Sequence, residues 1–142
     1  MKKYCRTAAF AGILLLGTLL PVAAGNPVGV QFVPAHTRVG LARVTLLVSD
    51  LVYRGGSLTG SYEVRIPLAP WRNDRGEMRL EIREPLDRLL ASGKSVTGSS
   101  RSVENGRVHP VTCSFEADGT VRITVETNER TLAFTTHLED PS

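Results

Sequence analysis

Cysteine is scarce in this chain of 142 residues, in which Cys5 and Cys113 are the only two. Cys5 lies in a leader segment that we expect to be removed, which leaves Cys113 alone. A domain with one cysteine forms no intramolecular disulfide, so a small scaffold held by disulfides is excluded. Its stability must come from buried apolar side chains, and a chain of this length can bury a real core.

Long apolar runs are also scarce. The longest apolar run, residues 7–20, has 14 residues, fewer than the roughly 20 that a membrane-spanning helix needs. It follows three basic residues and precedes small residues at 22–25, an order that is typical of a secretory signal peptide. We therefore expect residues 1–25 to be a cleaved signal peptide. Residues 26–142 are expected to form a single exported domain, periplasmic or extracellular, that does not span a membrane.

The excess of positive charge is confined to this leader. The chain has 17 Lys and Arg against 14 Asp and Glu. Removal of Lys2, Lys3 and Arg6 leaves 14 basic residues against 14 acidic ones. A domain without net charge has no general attraction to phosphate backbones, so we expect no nucleic-acid partner.

Alternation of apolar and polar residues is the main pattern that is present. It runs through residues 107–138 and predicts strands with one buried face. Residues that lie opposite each other in neighbouring strands must share a face. This condition predicts a three-residue turn with Gly119 in a left-handed conformation, which places Phe115 opposite Val121. At the next turn it places Val125 opposite Leu132.

Two earlier hairpins follow from the same reasoning. Opposite charges on the outer face favour a register with Ile66 opposite Leu80, and Pro67 should end its strand or lie at an edge. A turn at Asn105-Gly106 places Val103 opposite Val108.

A short helix is predicted between the two groups of strands. Pro85 suits its first turn and Gly93 its C-terminal cap, and leucines between them fall on one side. The predicted fold class is all-β. We expect an antiparallel β-sandwich or small β-barrel of seven or eight strands, with one short helix after the fourth or fifth strand.

Catalytic patterns are missing from the sequence. Cys113 and His109 share a face but lie four residues apart, which is roughly 13 Å along a strand and too far for a catalytic dyad. No two histidines lie within ten residues of each other, although zinc ligands usually come in close pairs. We therefore predict no catalytic residues, no metal, no cofactor and no enzymatic activity. A small secreted hydrolase, with its carboxylates supplied by Asp74 and Glu77 or by Glu139-Asp140, is the weakest alternative.

One loop offers a candidate binding site. It contains the only tryptophan of the chain with arginines on either side, and these residue types are frequent in binding hot spots. The candidate residues are Trp71, Arg72, Asn73, Asp74 and Arg75. The alternative is that Trp71 covers the end of the core while its neighbours are solvated. Tyr53 and Arg54, before Gly55-Gly56, are a secondary candidate.

Two short segments resemble a known family. Pro34-Ala35-His36-Thr37 and Gly106-Arg107-Val108-His109-Pro110-Val111 are faintly similar to parts of YceI-type lipocalin-like periplasmic proteins. That resemblance implies a barrel that binds long apolar chains. It covers about ten residues, which does not assign the chain to that family.

Two functions of different classes follow as hypotheses. The first is an exported, non-enzymatic β-sandwich domain that binds a protein or cell-envelope partner through the Trp71 loop. The alternative is a lipocalin-like carrier of a small apolar ligand. A sandwich interior interdigitates without a cavity, whereas the inner wall of a carrier barrel surrounds one.

Overall fold

The structure is a computed structural model that describes residues 26–27 and 31–139. The predicted signal peptide, residues 1–25, lies outside the described residues. None of the described helices is long and apolar enough to cross a membrane.

Ten strands and one α-helix make up the described chain. The strands are β1 (Asn26–Pro27), β2 (Gln31–Phe32), β3 (Ala35–Val39), β4 (Ala42–Arg54), β5 (Ser57–Arg65), β6 (Asp74–Glu81), β7 (Ser95–Ser102), β8 (Val108–Phe115), β9 (Thr120–Glu126) and β10 (Thr131–Glu139). The helix α1 spans Leu86–Ser92 and follows β6. A single 3-10 turn, Pro70–Arg72, lies between β5 and β6.

Strands β3 to β10 form a closed antiparallel barrel. Each strand pairs with the next one in the chain, and β10 returns to pair with β3, where Thr135 lies opposite His36. The short strands β1 and β2 pair with β4 and β10. The prediction of an all-β fold with seven or eight main strands is confirmed. Of the two expected architectures, the chain forms the barrel.

The up-and-down topology gives the barrel two distinct ends. The turn between β3 and β4 and the loops 66–73, 103–107 and 127–130 meet at one end, which we call the open end. The β4–β5 turn, the β8–β9 turn and α1 lie at the other, the helix end. Leu89 of α1 is buried and α1 packs on β8. Gly93 ends the helix with φ 68°, as the predicted cap requires.

The registers predicted for the C-terminal hairpins are confirmed. Phe115 lies opposite Val121, and Val125 lies opposite Leu132. Gly119 has φ 89°, as expected for a three-residue turn that ends in a bulge. Phe115 and Val121 are fully buried, as are Cys113 and Ile123, so the apolar face of these strands is the inner wall of the barrel.

The registers predicted for the two earlier hairpins are wrong. Leu80 lies opposite Leu58, and Ile66 lies beyond the end of β5, before Pro67. The exposed charges used in the prediction pair within their own strands instead, as in the ion pair between Arg65 and Glu63. Such pairs are worth too little to fix a register.

The β7–β8 register differs from the prediction by two residues. Val108 lies opposite Arg101, and Val103 belongs to the connecting loop. This loop is longer than predicted because Ser102 receives hydrogen bonds from the backbone of Glu104 and Gly106. A shift of two residues keeps each side chain on its predicted face.

Candidate binding site

A cavity of about 400 Å³ enters the barrel from the open end. Its inner part is lined by buried apolar side chains of five strands: Val44, Leu46, Met78, Val111, Ile123 and Phe134. Nearer the entrance the wall continues with half-buried apolar side chains, among them Val64, Ile66, Val125 and Leu132. An eight-stranded barrel is just wide enough to be filled by side chains or to hold one small ligand. Here part of the interior is left open.

A small group of polar side chains interrupts the apolar wall. The Tyr62 hydroxyl donates a hydrogen bond to Asp74 Oδ2 at 2.8 Å, and the Ser102 hydroxyl donates to Asp74 Oδ1. Burial, followed by the hydrogen bond to the Asp74 carboxylate, raises the pKa of Tyr62. The carboxylate is thus paired on both oxygens, while Ser100 adds a buried hydroxyl to the same wall.

Gly76 makes room for this polar group. Tyr62 lies directly opposite Gly76 in the β5–β6 pair. A Cβ atom at position 76 would lie 2.9 Å from Cε1 of Tyr62 and 1.9 Å from the carbonyl oxygen of Arg101. The absence of a side chain therefore lets the tyrosine ring lie across β6 and lets β7 approach closely.

Charged side chains surround the entrance. Arg72 and Glu129 come from different loops and form an ion pair of 3.5 Å between Nη2 and Oε2, with both side chains more than half exposed. Arg107 and Arg130 also line the cavity. Neither of these two makes an ion pair with any residue in the described part of the chain.

The predicted binding loop lies at this entrance, and its five residues divide into two groups. Arg72 and Asp74 line the cavity. Asn73 instead accepts a hydrogen bond from the backbone of Ile66, and Arg75 pairs with Glu104 at 3.0 Å. Trp71 is 80 % exposed, so it does not cover the end of the core.

The secondary candidate lies elsewhere. Tyr53 and Arg54 end β4 at the helix end of the barrel, where Tyr53 packs partly against the core. Arg54 lines a second, more polar cavity of about 520 Å³. Gly55 and Gly56 both have positive φ angles, which the tight turn between β4 and β5 requires. The structure therefore separates these residues from the open end.

The remaining reactive side chains are dispersed. Cys113 is fully buried, and burial raises the pKa of its thiol to about 12, as expected for an inert cysteine. His109 lines the cavity, whereas His36 bonds to Thr45 on the outer surface and His137 is exposed. In residues 31–139, no three His, Cys, Asp or Glu side chains are grouped as a metal site would need.

Sequence reasoning missed the contribution of His109, Arg107 and Arg130 to the cavity. For His109 a signal was available, because it has the same alternation phase as the buried Val111 and Cys113. The two arginines lie in loops, where no alternation of apolar and polar residues indicates which way a side chain faces. Their position depends on closure of the barrel.

Comparison with known proteins identifies no relative of this chain. No protein family, no curated protein and no solved structure matches the chain.

Proposed function

We propose that this protein is an exported carrier that binds a small apolar molecule inside its barrel. The observation that carries this proposal is the cavity at the open end. Its inner wall is formed mainly by apolar side chains, as in most small-molecule sites, and its charged groups lie at Asp74 and around the entrance. The proposal includes removal of residues 1–25 and requires no catalytic step.

The half-buried apolar side chains near the entrance provide the driving force. Val39, Val64 and Leu132 pack against the core but keep part of their surface open toward the cavity. A ligand that covers this surface removes it from water, which is worth roughly 25 cal/mol for each Å² of apolar area. Filling the cavity is therefore favourable for a ligand of matching size.

Binding of Nile red, an uncharged dye whose fluorescence rises in apolar surroundings, tests the proposal. Leu132→Trp adds a large side chain to the cavity wall and should abolish the fluorescence increase. Ala133→Trp is the matched control, because the next residue of β10 is exposed on the outer face. Circular dichroism would establish that both variants fold. Equal dye binding by the two folded variants would contradict a site inside the barrel.

Binding of a protein or cell-envelope partner by the Trp71 loop stays a prediction from the sequence. The exposure of Trp71 and Leu68, at 80 % and 70 %, favours it as a second function. The double variant Trp71→Ala and Arg72→Ala should then lose a partner that the wild type retains in crosslinking from the periplasm. A partner retained equally by both proteins would show that the loop is not the contact.

A further inference from the structure

The charges around the cavity are unevenly balanced. Three arginines, Arg72, Arg107 and Arg130, line it in the described part of the chain, against the two carboxylates of Asp74 and Glu129. Both carboxylates are already engaged. Asp74 accepts hydrogen bonds from two hydroxyl groups, and Glu129 pairs with Arg72. Arg107 and Arg130 form no ion pair with any acidic group in the described part of the chain.

Backbone hydrogen bonds order the two loops that carry these arginines. The amide of Arg107 donates to Asn105 Oδ1 at 2.8 Å, and its carbonyl accepts from the Ser102 amide. The amide of Arg130 donates to the Thr127 hydroxyl at 3.1 Å, and its carbonyl accepts from the Thr127 amide. Each guanidinium therefore extends from an ordered loop, so a ligand that binds it has to order the side chain but not the loop.

We propose that the ligand is an amphipathic acid whose apolar chain fills the barrel and whose anionic head group binds Arg107 and Arg130 at the entrance. This inference rests on the proposed carrier function and specifies its ligand class. A guanidinium presents paired donors that match a carboxylate, and such charge-assisted bonds are stronger than neutral ones. The polar wall around Asp74 does not compete for the head group, because a second anion there would be repelled.

Three ligands with the same ten-carbon chain distinguish the contribution of the head group to affinity from that of the chain. Decanoate, decanol and decylamine are each used to displace Nile red from the protein. We expect decanoate to bind about tenfold more tightly than decanol, which corresponds to about 1.4 kcal/mol, and decylamine to bind more weakly than decanol. High salt should weaken decanoate binding and leave decanol binding unchanged.

The double variant Arg107→Gln and Arg130→Gln assigns the effect to these residues. Its decanoate affinity should fall to within about twofold of its decanol affinity, while decanol binds as to the wild type. Arg43→Gln is the matched control, since Arg43 is exposed near the open end but does not line the cavity. It should keep the full preference for decanoate.

The outcomes distinguish this inference from the function on which it rests. Equal affinities of the wild type for decanoate and decanol would overturn the anionic ligand class and leave the carrier function standing. A preference for decanoate that survives in the double variant would overturn the role of the two arginines. Failure of all three ligands and of Nile red to bind would overturn the carrier function itself.

Discussion

The hydroxyl of Tyr62 and the carboxylate of Asp74 join β5 to β6 at the open end of the barrel, 2.8 Å apart. Tyr62→Phe removes this donor and leaves a partly buried carboxylate with one hydrogen bond fewer. The free energy of unfolding should fall by about 1–2 kcal/mol, measured by urea denaturation. Tyr53→Phe is the control, because no side-chain hydrogen bond involves Tyr53 in the described residues, and it should change stability by less than about 0.5 kcal/mol. Equal losses of unfolding free energy in the two variants would mean that the hydrogen bond between Tyr62 and Asp74 does not contribute to stability.

The ion pair between Arg72 and Glu129 should affect ligand exchange more than stability. Both side chains are mostly exposed, so we expect a coupling energy of at most about 0.5 kcal/mol in a double-mutant cycle. The pair lies at the entrance, so Arg72→Ala should raise the rate of Nile red entry. The expected increase is about twofold, which is what a coupling energy of about 0.5 kcal/mol corresponds to. Stopped-flow fluorescence measures this rate. Arg75→Ala breaks an ion pair outside the cavity and should leave the rate unchanged; a similar increase there would contradict the assignment.

Stability should decrease in alkaline solution through Cys113. Burial raises the pKa of its thiol from 9.0 to about 12. Between these values the unfolded chain loses the thiol proton and the folded chain keeps it, so the free energy of unfolding falls as pH rises. Below pH 9 this contribution is constant. Denaturation by urea at several pH values should give a shallower decline for Cys113→Ala than for the wild type. Parallel declines would show that the thiol ionises equally in both states.

Aspartate substitutions on β9 distinguish its two faces. Ile123 is fully buried inside the barrel and Thr124 is half-buried on the outside. Ile123→Asp places an unpaired charge in an apolar interior and should cost about 4 kcal/mol or more, whereas Thr124→Asp should cost less than about 1 kcal/mol. Thermal unfolding of the two variants measures the difference. Similar midpoints would mean that the inward face has been assigned incorrectly.

The sequence predicts the C-terminal half of the barrel well because its signal is local and strong. Phe115, Val121 and Leu132 belong to strands with uninterrupted alternation and short turns, so matching of faces leaves one register. Between β5 and β6 the apolar pattern allows several registers. Exposed charges such as Glu63 contribute too little energy to select one register. The observed register places Tyr62 opposite Gly76 and within hydrogen-bonding distance of Asp74. No sequence pattern predicts that contact.

The cavity could not be predicted from the sequence for a different reason. Its volume depends on the pairing of β3 with β10, whose residues His36 and Thr135 are far apart in the chain. The same inward-facing residues would pack against each other in a sandwich. Closure of the barrel brings the predicted loop to the entrance, where Arg72 pairs with Glu129 and lines the same cavity as Arg107 and Arg130.

The pairing of β3 with β10 differs from the other pairings of the barrel in its separation along the chain. Seven of the eight pairings in the barrel join strands that are neighbours in the chain, and such contacts form quickly because little chain entropy is lost. The pairing of β3 with β10 joins strands that lie far apart in the chain, and it closes the barrel. Without this pairing the eight strands would form an open meander that encloses no interior. The interior that the proposed ligand would occupy is therefore enclosed only when this pairing is made.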